Sequence, residues 1–120
     1  MGTDIRVRRV YDEPSPEDGA RVLVDRVWPR GMRKDAARLD EWAKDVAPSA
    51  DLRTWYRHDP AKFSEFRRRY TAELGKPGAQ EALARLRAVA ADRPVTLLTA
   101  TKDLDLSQAA VLAGLLRETT

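Results

Sequence analysis

The 120-residue sequence predicts a single α/β domain: a short, mostly parallel sheet of about three strands flanked by about five helices. Three observations carry that expectation. Apolar, β-branched runs at 22–24 and 95–98 read as strands buried on both faces, which lose the polar alternation of half-exposed strands. Between them runs a long stretch of helical apolar spacing. A crossover of that length, far beyond what a hairpin needs, makes the two strands parallel and puts their carboxyl ends on one side. Finally, the chain is long enough for one core and too short for two.

Each element follows in order. Residues 5–10 (Ile-Arg-Val-Arg-Arg-Val) alternate apolar and basic, as an edge or near-edge strand with one buried face does. Residues 12–19 collect two prolines, acids and a glycine, and read as a loop. The second strand spans 20–25. Leu39, Trp42, Ala43 and Val46 then fall at i, i+3, i+4 and i+7, with Asp35 available as an N-cap, which predicts a helix over 36–47; an irregular or strand-like segment is the alternative. Ser49 caps a short helix carrying Leu52, Trp55 and Tyr56, which stops at residues 57–60. Asp59-Pro60 opens the next helix, to about 74, with Phe63, Phe66, Tyr70 and Leu74 on one face and Gly75 and Pro77 ending it. A further helix is expected over 79–91, a third strand over 95–99 and a last helix over 107–117.

Composition narrows the chemistry. There is no cysteine, which removes disulfides, thiolate catalysis and cluster ligation, and His58 is the one histidine. No cofactor is expected, and a carboxylate site for Mg²⁺ is the metal option left. No apolar run reaches the roughly 20 residues a membrane span needs, and the N-terminus lacks a signal-peptide core, so a cytoplasmic protein with no membrane partner is expected. The net charge is only +3. Its excess sits in two runs, 21–34 and 53–69, which leaves nucleic acid as a second candidate partner.

Standard catalytic motifs are absent: there is no glycine-rich phosphate loop, nucleophile elbow or H-E-x-x-H. What the sequence offers is a strand end. Ligands of open α/β sheets sit beyond the carboxyl ends of the strands, and the second strand ends in Asp25-Arg26-Val27-Trp28-Pro29-Arg30-Gly31. Asp25 is a candidate acid, base or cation ligand, or else pairs with Arg26 or Arg30 to fix the turn. Arg26 and Arg30 suit bidentate contacts to an anion. Trp28 is a candidate pocket wall, whereas Trp42 and Trp55 sit at core spacing. Lys102, after the third strand, faces the same crevice. His58 is a candidate acid or base, and Asp59 beside it is accounted for as a cap. Of Arg67-Arg68-Arg69, which fan around the helix axis and form no stripe, Arg67 is the one expected to reach the crevice.

These residues also carry a resemblance. The stretch 22–31, together with Trp42, Ala47-Pro48-Ser49, Leu52-Arg53, His58-Asp59-Pro60, Phe66-Arg67, Tyr70, Glu73-Leu74, 95–98 and Lys102-Asp103, resembles the DUF488 family in its YeaO-like branch. The resemblance covers nearly the whole chain and implies one α/β domain of bacterial and archaeal cytoplasm with no established activity. One departure stands out. Where such proteins usually carry an aromatic after the last strand's leucines and a His-Asn-His cluster at the start of the last helix, this chain has Thr99 and Leu106-Ser107-Gln108. The reading is therefore a crevice for a phosphorylated or otherwise anionic, nucleotide-like small molecule. The alternatives are a nucleic-acid-binding module and a non-catalytic interaction protein, and the question of catalysis stays open.

Overall fold

A computed structural model describes residues 4–118. The chain runs β1 (Ile5–Arg9), β2 (Ala20–Leu23), α1 (Lys34–Ala37), β3 (Glu41–Trp42), α2 (Ala50–Tyr56), α3 (Phe63–Glu73), α4 (Pro77–Asp92), β4 (Val95–Thr99) and α5 (Gln108–Arg117), with short 3-10 turns between. The sheet is four-stranded, in the order β1-β4-β2-β3, and every pair is parallel. The α/β expectation holds, with one strand more than predicted, and β1 is the edge strand that its alternation suggested. In register, Ala20 lies beside Val95 and Leu23 beside Leu98. Val24 N–H then donates to the Leu98 carbonyl at 3.0 Å, so the two strands end level, at Asp25 and Ala100.

Alternation divides the sheet between two layers. Val22, Val24, Val95 and Leu97 point into the main core with Leu52, Phe66, Tyr70, Leu83, Leu86, Leu112 and Leu116 from α2 to α5. Leu23 and Leu98 face the other way, into a smaller cluster with Val10 that is covered by Trp28, Met32, Leu39 and Trp42. That second layer overturns the helix expected over 36–47. Its apolar spacing fits a helix, but Leu39 and Trp42 serve the small cluster whereas Ala43 and Val46 serve the main one, and a single helical stripe cannot face both. The segment is instead taken up by the edge of β2. Asp40 and Ala43 N–H donate to the Arg21 and Leu23 carbonyls at 2.8 Å each, making β3, and what remains helical is the single turn of α1 and a 3-10 turn over Lys44–Val46. Asp35 lies in the first turn of α1, whose N-cap is Arg33.

The helix ends follow their sequence signals more closely. The Ser49 hydroxyl accepts from Leu52 N–H at 3.1 Å, and the Asp59 carboxylate accepts from Ala61 N–H at 3.0 Å at the start of a 3-10 turn that leads into α3. Glu73, near the other end of α3, receives both the N–H (2.8 Å) and the hydroxyl (2.6 Å) of Ser49, tying the last turn of α3 to the first of α2. Ser49→Ala removes the cap and one of these charge-assisted bonds, so a loss of about 1–2 kcal/mol is expected in chemical denaturation. Glu73→Ala in the Ser49→Ala background should then cost less than it does alone, since the two share one network.

Candidate functional site

The level ends of β2 and β4 open into a crevice of about 810 Å³. Its walls come from three places. The loop after β2 supplies Arg26, Trp28 and Arg30, the α2 end supplies Arg53, Tyr56, Arg57 and His58, and the loop after β4 supplies Thr101, Lys102 and Asp103. Asp25, Ala100 and Gln108 close the base, and Phe66, Pro60 and Leu106 add apolar surface. The geometry thus brings together six of the seven residues singled out from sequence: Asp25, Arg26, Trp28, Arg30, His58 and Lys102. The exception is Arg67. The buried face of α3 is Phe66 and Tyr70, and Arg67 lies on its exposed side, away from the crevice lining.

Asp25 is anchored, and not by its arginine neighbours. Its Oδ1 accepts from the Thr99 hydroxyl at 2.6 Å and from the Gln108 amide at 2.5 Å, and Oδ2 accepts from Ala100 N–H at 2.8 Å. The expected pairing with Arg26 or Arg30 does not form. Arg26 Nε donates instead to the Pro48 carbonyl at 3.0 Å, and the Arg30 carbonyl accepts from the Tyr11 hydroxyl at 2.7 Å. Thr99 and Gln108 are two of the positions at which this chain departs from the pattern it resembles. The departures meet on one carboxylate.

Trp28 donates its indole N–H to the Met32 carbonyl at 2.7 Å and meets Trp42 edge-on at 5.2 Å, so one side of its ring belongs to the small core while it also lines the crevice. Trp42 N–H in turn holds the Asp25 carbonyl at 2.7 Å. Opposite, Tyr56 stacks on Phe66 at 4.1 Å and donates to the Leu106 carbonyl at 2.7 Å. Burial raises the Tyr56 pKa, and the nearby Asp103 and Asp59 charges add to the rise, so the phenol stays protonated.

Arg53, Arg57 and Gln108 escaped sequence reasoning as individual site residues. Arg53 lies in the last turn of α2 and Arg57 is the residue that caps it, a signal that could have been read had the run 53–69 been divided by helix boundaries. Arg57 and His58 both adopt left-handed backbone, with φ of 47° and 56°. For residues with a Cβ this conformation costs on the order of 1 kcal/mol apiece, and such strain gathers at binding sites. Here it ends α2 abruptly, with both side chains lining the crevice.

No helix of the described residues is long and apolar enough to cross a membrane. No solved structure matches the chain. Uncharacterised proteins of Mycobacterium tuberculosis and Mycobacterium bovis are each 53% identical over 114 residues, covering 95% of this chain and 94% of theirs. The uncharacterised protein YeaO of Escherichia coli is 40% identical over 114 residues, covering 95% of this chain and 97% of its own. A family model described as the inactive DUF488-N3 subclade matches residues 4–120, and the chain belongs to the DUF488 family.

Proposed function

We propose that this is a cytoplasmic binding protein whose crevice holds a phosphorylated or otherwise anionic small molecule without turning it over. One observation carries the reading. Arg26, Arg30, Arg53, Arg57 and Lys102 line a single crevice, and among the described residues none of them is in an ion pair. Elsewhere this chain pairs its arginines freely: Arg8 and Arg21 with Asp18, Arg68 and Arg69 with Glu65, Arg85 with Glu41. Like charges focused in a cleft repel one another and raise the local potential, and a bound anion relieves both.

Binding without turnover is supported by the state of Asp25. The three donors on Asp25, on both of its oxygens, turn its carboxylate into a strut between the β4 end and α5. The description of the family's subclade as inactive agrees with this reading. His58 then serves as a rim group beside Arg57. The nucleic-acid alternative is weakened because Arg68 and Arg69 are spent on Glu65 and Arg67 lies apart from the crevice.

The test is calorimetric titration of the wild type, Arg30→Ala and Arg57→Ala with inorganic phosphate, ribose 5-phosphate, AMP and a short single-stranded DNA at two salt concentrations. A charge-assisted contact is worth about 1.5–3 kcal/mol, so each variant should weaken phosphate-ester binding by roughly 10- to 150-fold while leaving the melting temperature of the free protein nearly unchanged. Unaltered affinity in both variants sinks the assignment. Binding of DNA alone, with a steep salt dependence, transfers the function to nucleic acid.

A further inference from the structure

The inner part of the crevice differs from its rim, and Gln108 makes the difference. An ionised carboxylate only accepts hydrogen bonds, so Asp25 obliges Gln108 to turn its NH₂ group inward. Nε2 then lies 2.5 Å from Asp25 Oδ1 and 3.2 Å from Thr99 Oγ1, and the Thr99 hydroxyl spends its own proton on Asp25. The NH₂ group is therefore committed to the Asp25–Thr99 side, and the amide cannot flip without setting its oxygen against a carboxylate. What Gln108 has left is its carbonyl Oε1, which no described residue donates to. That oxygen is not buried, since Arg9 Nε is the one buried, unpartnered side-chain nitrogen or oxygen among the described residues. It is an acceptor outside the buried interior on a residue of the crevice lining, a lining that also holds the aromatic pair Tyr56 and Phe66.

Resting on the anion-binding reading above, we infer that Gln108 is a specificity-determining residue: the crevice selects an anion whose other end is an apolar or planar body carrying a neutral N–H or O–H donor, which Gln108 Oε1 accepts. The five rim cations take the charged group. A ligand whose inner end bears only acceptors meets the oxygens of Gln108 and Asp25 and leaves Oε1 unpaired in a desolvated site, the situation that gives hydrogen-bonding pockets their discrimination. The orientation of the ligand is thereby set, with its anion outward and its donor inward. Phosphate esters of hydroxyl- or amide-bearing rings, nucleoside monophosphates among them, have this chemistry.

Aryl phosphates separate the two readings. The wild type, Gln108→Met and Gln108→Lys are titrated with inorganic phosphate, phenyl phosphate, 3- and 4-hydroxyphenyl phosphate and 4-methoxyphenyl phosphate. The better hydroxyphenyl probe should bind the wild type at least tenfold more tightly than phenyl phosphate, and the methoxy probe should gain nothing. Gln108→Met should abolish the preference. Gln108→Lys, which keeps a donor on Asp25 and has no acceptor, should abolish it in a protein whose Asp25 remains held. Equal affinity of the wild type for all the aryl phosphates overturns the role of Gln108 and leaves anion binding standing. A preference that persists in both variants also overturns it, by moving the acceptor to another group. If neither inorganic phosphate nor any ester binds, both readings fall together.

Discussion

Asp18→Ala is expected to lower the stability of the fold by about 3–5 kcal/mol, because it leaves one partner of a buried ion pair behind. Asp18 is 1% exposed and Arg21 5%. The carboxylate accepts from Arg21 at 2.5 Å, from Arg8 at 2.8 Å and from Ser15 N–H at 3.0 Å. Arg21 spends its remaining donors on the Ala37 and Arg38 carbonyls, where the chain leaves α1. Removing Asp18 strands a guanidinium beneath the second layer of the sheet and loosens the loop that caps β2. A fall in melting temperature of about 10 °C or more is expected for a domain of this size. Burial pushes the Asp18 pKa up, but the Ser15, Arg8 and Arg21 hydrogen bonds outweigh it and hold the carboxyl below its ordinary value. Its contribution is then fully present above the unfolded-state pKa and is lost as pH falls through the folded one. The gap between wild type and Asp18→Ala should therefore be widest at neutral pH and should close in acid; a gap independent of pH would show that the carboxylate's charge is not what matters.

How far the sequence could be read depended on how local each cause was. The strands at 5–9, 20–23 and 95–99 announce themselves through side-chain pattern, and their parallel pairing follows from the length of the crossover. Segment 36–47 misleads because spacing records which residues are apolar, not which layer each one enters, and Leu39 and Val46 enter different layers. The site divides in the same way. Arg26, Arg30 and Lys102 are legible because strand ends in parallel sheets converge. The partners of Asp25 are not, since Thr99 lies 74 and Gln108 83 residues away along the chain, and no local pattern links a carboxylate to either. Arg21 was legible as a charge but not as a buried one, because burial depends on Asp18, which the sequence places in a proline-rich loop.

Gly19→Ala is expected to be at least as damaging as the loss of Asp18, and by a different route. Gly19 has φ 63° and ψ −131°, a region that side chains with a Cβ avoid. A Cβ built there would lie 2.2 Å from the Pro94 carbonyl oxygen, the same oxygen that accepts from Ala20 N–H at 2.9 Å. The methyl group cannot be fitted by rotating a side chain. Either the backbone at 19 or the start of β4 must move, and that carbonyl is where the register between β2 and β4 begins. Backbone strain of about 1–3 kcal/mol adds to the lost pairing. Because Ala20 is aligned with Val95, a shift at this point carries along both strands to Asp25 and Ala100 and opens the carboxylate's contact with Ala100 N–H. The variant should thus lose stability and phosphate-ester affinity together, whereas Arg30→Ala loses affinity alone. Titration of Gly19→Ala at a temperature where it remains folded distinguishes the two: wild-type affinity there would mean that the crevice is set by its loops and not by the register of the strands beneath it.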